Sequence, residues 1–288
     1  IAAVVALRRM SHPGIAAFLN DSDEFMVTET ARAINDDLSI KAALPALGNI
    51  LTTTRFTNEA LIRRSINANL RVGSDEALQA LINYSSQATA PGALRAEAID
   101  ALSTWAKPSV VDRVDGRYRG IIQRDVAAVQ SKAGNSIISL ATSKDMGLRT
   151  SAVKAIGKLK LAHGAPALFT LLKTDPQASV RVEALKALTA IQNEQVGEAI
   201  KLAVADKDKT VRVAGIDMID QLNIPKELMV TLLSQVIDTK TPEEKQAALL
   251  TMGNLPVQHT QAIFENLLKM QLCQFPVFVN LQVPQMPM

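Results

Sequence analysis

The chain has 288 residues, 48% apolar but only 3% aromatic, and its 31 basic and 28 acidic side chains leave a formal charge of +3. That balance excludes a polybasic arm: residues 1–72 hold eight Lys and Arg against seven Asp and Glu. A single cysteine, Cys273, excludes an internal disulfide and a cysteine-rich metal site. No apolar run is long enough to cross a membrane as a helix.

In chain order, Ile1–Leu7 reads as the second helix of a helical pair whose first helix is missing, so the chain is expected to be a portion of a longer protein. From there a phrase recurs. Weak copies start at Met26 and Leu61. The full phrase is Leu94-Arg95 with Ala98-Ile99 and Ala101-Leu102, and it returns as Leu148-Arg149 with Ala152-Val153 and Ala155-Ile156. It returns again as Val180-Arg181 with Ala184-Leu185 and Ala187-Leu188, then as Val211-Arg212 with Gly215-Ile216 and Met218-Ile219, and weakly at Glu244. The steps between starts are 35, 33, 54, 32, 31 and 33 residues. A period in this range marks a stacked repeat protein.

Each phrase reads as the second helix of a pair, with one broad apolar stripe. Before it lies a first helix with apolar residues at three-to-four spacing, as in Leu44/Leu47/Ile50/Leu51, Leu78/Leu81/Ile82, Leu168/Leu171/Leu172, Ile200/Leu202/Ala203 and Leu228/Leu232/Leu233/Val236. One pair cannot bury such a stripe alone, so neighbouring pairs must stack. Five residues ahead of each phrase stand Asp21, Phe56, Thr89, Ser143, Asp175, Asp206 and Thr239. Six of these seven are side chains that accept hydrogen bonds from free N–H groups at a turn or helix start. The predicted fold is all-α, a right-handed α-α superhelix of about eight helical pairs over residues 1–270. An inserted loop over 106–130 and a non-helical tail over 271–288 break the pattern.

These residues, above all the turn phrase Asp175-Pro176-Gln177-Ala178-Ser179-Val180-Arg181, resemble the HEAT repeat family, including its bilin-lyase-like subgroup. The resemblance implies a ladder of turn Asp and Arg linking successive repeats. Asp175, Arg181, Asp206, Arg212, Arg149 and Arg95 are its expected members, Lys245 holds the basic position of the last repeat, and Val27 and Ile62 depart from it. A narrower resemblance rests on Trp105, Pro108, Asp112-Arg113-Val114, Gly116 and Tyr118-Arg119. They look like a segment of large bacterial exported proteins that join a dehydrogenase-type β-propeller, a HEAT region and a c-type cytochrome domain. It implies a periplasmic or exported HEAT portion of a dehydrogenase-like parent. The chain has no Cys-x-x-Cys-His for haem.

Function is sought where the repeat is interrupted. The 54-residue step holds about 20 extra residues, and a long loop in a regular array is often a binding element. Trp105 stands at its entrance, and Tyr118 lies among Arg113, Arg117, Arg119 and Arg124 with Asp112 and Asp115 nearby. Aromatic plus Arg is the composition of an interface anchor. Alternatively, Trp105 and Tyr118 pin the loop, and the aspartates pair the arginines. The candidate partner-binding residues are therefore Trp105, Asp112, Arg113, Asp115, Arg117, Tyr118 and Arg119.

Inner-surface positions are expected at Glu29/Arg32, Arg64/Asn67, Glu97/Asp100, Ser151/Lys154, Glu183/Lys186 and Ala214/Asp217. Their mixed sign and the scarcity of stacking aromatics disfavour a nucleic-acid groove. His12, His163 and His259 are isolated, so no catalytic, cofactor-binding or metal-binding residues are assigned. The sequence thus reads as a non-catalytic scaffold that binds or spaces protein domains, with no cofactor, nucleic-acid partner or membrane insertion. The alternative is a lyase-like HEAT enzyme that handles a cofactor or chromophore, and, more remotely, a nucleic-acid-binding HEAT protein.

Overall fold

A computed structural model describes residues 1–36, 40–53, 55–192, 194–222 and 224–274. The chain forms two compact units, Ile1–Asn193 and Glu194–Met288. Unit 1 holds α1 (Ala2–Arg9), α2 (Glu24–Asn35), α3 (Leu44–Gly48), α4 (Glu59–Val72), α5 (Asp75–Ser86), α6 (Gly92–Ser103), α7 (Ala127–Leu140), α8 (Met146–Lys158), α9 (Ala165–Thr174) and α10 (Ala178–Ala190). Unit 2 holds α11 (Val196–Val204), α12 (Lys209–Asp217), α13 (Lys226–Thr239), α14 (Pro242–Gly253) and α15 (Val257–Gln274). The fold is an all-α helical repeat, and among the described residues it contains no strand longer than a single β-bridge.

The phrase helices form one layer of unit 1, where α2, α4, α6, α8 and α10 pack in succession. The first helices α3, α5, α7 and α9 pack on their partners α4, α6, α8 and α10. In α10 the stripe Val180, Ala184, Leu185, Ala187 and Leu188 is almost fully buried, as the spacing predicts. Stacking also explains Gly157 in α8: a Cβ there would stand 3.0 Å from the Ala187 Cα of α10, so the two helices meet backbone to backbone. Most notably, α6 packs directly on α8 and α5 on α7. The 54-residue step therefore leaves the stacking unbroken, and the insertion lies outside the helical layers.

Several elements differ from expectation. The helix ahead of α2 is a 3-10 helix, Pro13–Asn20, and α3 is a short α-helix between 3-10 turns. The inserted segment spans 104–126, because α7 begins at Ala127 rather than after residue 130. The tail boundary also moves: α15 continues to Gln274, so residues 271–274 are helical, and residues 275–288 lie outside the described residues. The turn residues sit two positions ahead of the true N-caps. Asp21, Ser143, Asp175 and Asp206 each accept a hydrogen bond from the N–H two residues on, at Asp23, Asp145, Gln177 and Asp208. Asp23, Asn58, Asp145 and Asp208 then cap α2, α4, α8 and α12.

The ladder arginines share one geometry. Arg149, Arg181 and Arg212 donate to the carbonyls six and five residues upstream in their own turns: Ser143 and Lys144, Asp175 and Pro176, Asp206 and Lys207. Arg149 also reaches the next turn, where its Nε lies 2.6 Å from an Asp175 carboxylate oxygen and both groups are buried. Arg212 meets Glu244, at 2.7 Å and 3.3 Å to its two oxygens. The reason is in the sequence: the turn ahead of Glu244 carries Thr239, which has no carboxylate to offer. The turn after Arg95 carries Ser143, and Arg95 bonds instead to the Ser85 carbonyl at 2.9 Å. Asp206 caps its own turn and receives Arg212 on its backbone oxygen.

Two predictions follow from this packing. Gly157→Leu should lower stability by about 1–3 kcal/mol in urea denaturation, because the added side chain meets backbone rather than a flexible neighbour. Glu244 is held down at a pKa of about 2, from 4.5, chiefly by the Arg212 hydrogen bond, against the opposing effect of burial and with help from Thr241. A depressed carboxylate contributes stability that is complete above pH 4.5 and lost as pH falls towards 2. Glu244→Gln should therefore remove about 1–3 kcal/mol of stability at pH 6 and flatten the acid limb of an unfolding series between pH 5 and 2. An unchanged acid limb would disprove this assignment.

Candidate protein-interaction site: the inserted hairpin

The insertion begins and ends at Trp105. The indole is buried, and the Arg124 guanidinium stacks on its face at 4.7 Å from the ring centroid. Arg124 donates to the Trp105 carbonyl at 2.9 Å, and its own N–H bonds the Ala106 carbonyl at 2.8 Å, which closes the base of the loop. The same guanidinium reaches the carbonyls of Leu70 and Arg71 at 2.7 Å and 3.2 Å, at the end of α4. Such terminal carbonyls have no partner within their own helix. Gly73 makes room: it turns the chain at φ 72°, and a Cβ there would collide with Arg124 at 2.2 Å.

Between these ends the chain folds into a short β-hairpin. Arg119 N donates to the Val110 carbonyl at 2.7 Å and Asp112 N to the Arg117 carbonyl at 2.8 Å, with Val111 and Tyr118 forming the bridge. Gly116 (φ 72°) completes the turn. One Asp112 carboxylate oxygen accepts from Val114 N at 2.8 Å and Asp115 N at 3.3 Å. The other accepts from Asn67 Nδ2 at 2.8 Å and Arg119 Nε at 2.9 Å. Burial raises the Asp112 pKa, but these hydrogen bonds outweigh it and leave the pKa below the ordinary value. Arg119 also pairs with Asp115 and donates to the carbonyls of Asn35 and Asp36 at 2.8 Å and 3.1 Å, at the end of α2. Two loop arginines thus cap two helices of the array.

Asn67 and Glu97, expected on an open inner surface, are buried. Asn67 links Asn35 at 2.8 Å to Asp112, and Glu97 pairs with Arg63 and lies 3.8 Å from Arg113. Arg113 also approaches Asp100 at 3.7 Å, and Arg64 forms a two-pronged pair with Asp36 at 2.9 Å and 3.0 Å. A shallow cavity of about 680 Å³ remains beside the hairpin, lined by Glu59, Arg63, Arg64, Glu97 and Arg113, whose charges largely compensate one another. The insertion therefore covers the second-helix face here, and the expectation of a free docking surface on that face does not hold for α4 and α6.

The seven candidate residues divide by strand alternation. Side chains on successive strand residues point to opposite faces. Asp112 and Arg119 point into the array, so their neighbours Val111 and Tyr118 point away from it. Tyr118 is 71% exposed and Val111 47%; Ile121, beyond the bridge, is 71% exposed, and Arg117 is exposed beside the turn. Trp105, Asp112, Asp115 and Arg119 hold the loop, and Arg113 ties it to α6. Val111 and Ile121, and the anchoring role of Arg124, were not singled out from sequence. The alternation Val111-Asp112 against Tyr118-Arg119 is the signal that could have found the two faces. Elsewhere, His12 caps the 3-10 helix through Gly14 N at 3.0 Å, and His259 lies 3.0 Å from Glu227. No group of three or more potential metal ligands occurs among the described residues, and the Cys273 side chain lies outside them.

No protein-family model matches the sequence, and no curated protein matches it significantly. Solved structures do match. An engineered protein aligns with 97% of this chain and 77% of its own at 18% identity, with a TM-score of 0.53. A second engineered protein aligns with 84% of this chain and 95% of its own at 18% identity, TM-score 0.44. The complex of CpcE and CpcF of phycocyanin lyase from Nostoc sp. PCC7120 aligns with 84% of this chain and 93% of its own at 16% identity, TM-score 0.42. At these identities the likeness is one of fold alone, an all-α array of stacked helical pairs. Among the described residues no helix is long and apolar enough to cross a membrane.

Because Asp112 is buried in a network of charges, its removal takes one carboxylate from Arg119, which keeps Asp115, and releases the hairpin turn from Asn67. Asp112→Ala is expected to cost about 3–5 kcal/mol and to speed tryptic cleavage after Arg113 and Arg117, with α2 and α4 less protected in hydrogen exchange. Cleavage at the wild-type rate would show that the network does not hold the hairpin.

Proposed function

We propose that this chain is a non-catalytic protein-interaction or domain-spacing module, and that the hairpin tip is its contact element. The observation that carries this reading is the division of the hairpin into a charged face spent on anchoring and an apolar face left in solvent. Val111, Tyr118 and Ile121 stand on a rigid support without covering any core. An aromatic residue flanked by aliphatic ones and an arginine is the kind of side-chain group that dominates interface energies. Held in place beforehand, it loses little conformational freedom on binding.

The partner is a protein surface, either another domain of a larger parent chain or a separate protein. The resemblance of Trp105, Pro108, Asp112-Arg113-Val114, Gly116 and Tyr118-Arg119 to the HEAT region of exported bacterial dehydrogenase-like proteins supports the first of these. In that setting the oxidoreductase chemistry belongs to other domains, and this module positions them. Most residues of that segment have a physical role here as the hairpin's anchors, a role that needs no ligand.

Deleting residues 108–122 would be a poor test, because it also removes Asp112 and Arg119 and uncaps α2. The double variant Tyr118→Ser/Ile121→Ser alters only exposed side chains. It should weaken association with the parent protein's flanking domains by about 2–4 kcal/mol in calorimetry, with the thermal transition unchanged. Unaltered affinity would move the interaction away from the hairpin.

A further inference from the structure

Unit 2 has a gap in its first-helix layer. There α13 packs on α15 and α12 on α14, whereas α11 and α13 make at most slight contact. The space between them is a cavity of about 630 Å³. Its walls are apolar and regular: Ile200 and Val204 stand one turn apart on α11, Leu228, Leu232 and Val236 one turn apart on α13, and Leu222 closes the floor. Leu228, at the mouth, is 47% exposed. This volume lies within the roughly 300–1,000 Å³ of small-molecule sites, which are mostly apolar with a few polar groups at fixed places.

The polar groups of this cavity are unevenly distributed. Lys209, at the start of α12, pairs at 3.1 Å with Glu243, at the start of α14, so the two helical pairs of unit 2 run in the same direction. Hence α11 and α13 are parallel. Lys201 and Lys240 line the cavity towards the C-terminal ends of these helices, and Glu198 lines it one turn before Lys201 on α11. Neither lysine joins an ion pair among the described residues. The site is thus an apolar trough with two ammonium groups and one carboxylate along its rim.

We propose that this cavity binds a single-chain anionic amphiphile, with its acyl or alkyl chain between α11 and α13 and its acidic head at Lys201 and Lys240. Burial of the chain supplies most of the affinity, because apolar transfer stabilises by about 0.8 kcal/mol per methylene. The lysines fix the direction of entry and select an anionic head over a neutral one. The inference is independent of the hairpin and its partner.

The full chain would be titrated with the fluorescent fatty acid cis-parinarate and the complex competed with hexadecanoate or hexadecan-1-ol. Saturable binding is expected, with hexadecanoate the better competitor by roughly tenfold. Lys201→Gln/Lys240→Gln should remove that preference. Leu232→Trp should obstruct the trough between α11 and α13 and weaken binding by about tenfold or more. Should that variant fail to fold, Leu228→Asp at the exposed mouth tests the same point without touching the core. No binding by the wild type would leave the trough to a partner's apolar side chains and overturn the proposal. So would equal competition by acid and alcohol, or binding undiminished by both Leu232→Trp in a folded protein and Leu228→Asp.

Discussion

The recurring interaction in this molecule is an arginine guanidinium donating to backbone carbonyls where a helix or turn leaves them without partners. Stacked helical pairs create many such places, because every helix end carries carbonyls that its own ladder cannot use. Arg149, Arg181 and Arg212 satisfy the turns that connect paired helices, and Arg119 and Arg124 satisfy the ends of α2 and α4. A planar group with five donors can serve several acceptors at once, so one side chain can link two segments. The array and its insertion are therefore joined by the same chemistry, although their sequences have nothing else in common.

That common chemistry explains which arginines pair with carboxylates. The carbonyl contacts use one side of the guanidinium, and the other side takes whatever acid the next turn supplies. After Arg149 the next turn offers Asp175, and a buried pair forms. After Arg212 it offers Thr239, and the guanidinium takes Glu244, whose carboxylate also completes a capping box with Thr241. After Arg95 it offers Ser143, and Arg95 stays with the Ser85 carbonyl of its own repeat. The ladder is a series of local solutions rather than one repeated bond.

The phrase helices were legible in the sequence because burial enforces their period: a residue such as Leu185 has one place to go. The turn residues were legible because Asp, Ser and Thr accept free turn N–H groups, and the N-caps two residues further on share that composition. In the insertion, the residue types marked the segment that leaves the repeat but not each side chain's task. The contacts that decide the matter join Arg119 to Asn35 and Arg124 to Leu70, far apart in sequence. Nothing local to residues 106–130 indicates which helix ends lie beneath the loop.

Charge in the anchoring face also settles the register of the hairpin. Burying Asp112, Arg119 and part of Arg71 costs desolvation, and that cost lowers the pKa of Arg71. An apolar pin would avoid the cost, but it would not distinguish the two faces of the hairpin, because the outward residues are apolar too. A slip of one residue would turn Val111 and Tyr118 inwards and leave the carbonyls of α2 without donors. With a carboxylate and a guanidinium at the inward positions, only one register satisfies the helix ends, and that register is the one that exposes Tyr118. Because α6 and α8 pack directly whatever lies between them, the exposed face can change without disturbing the array, whereas the inward pair cannot.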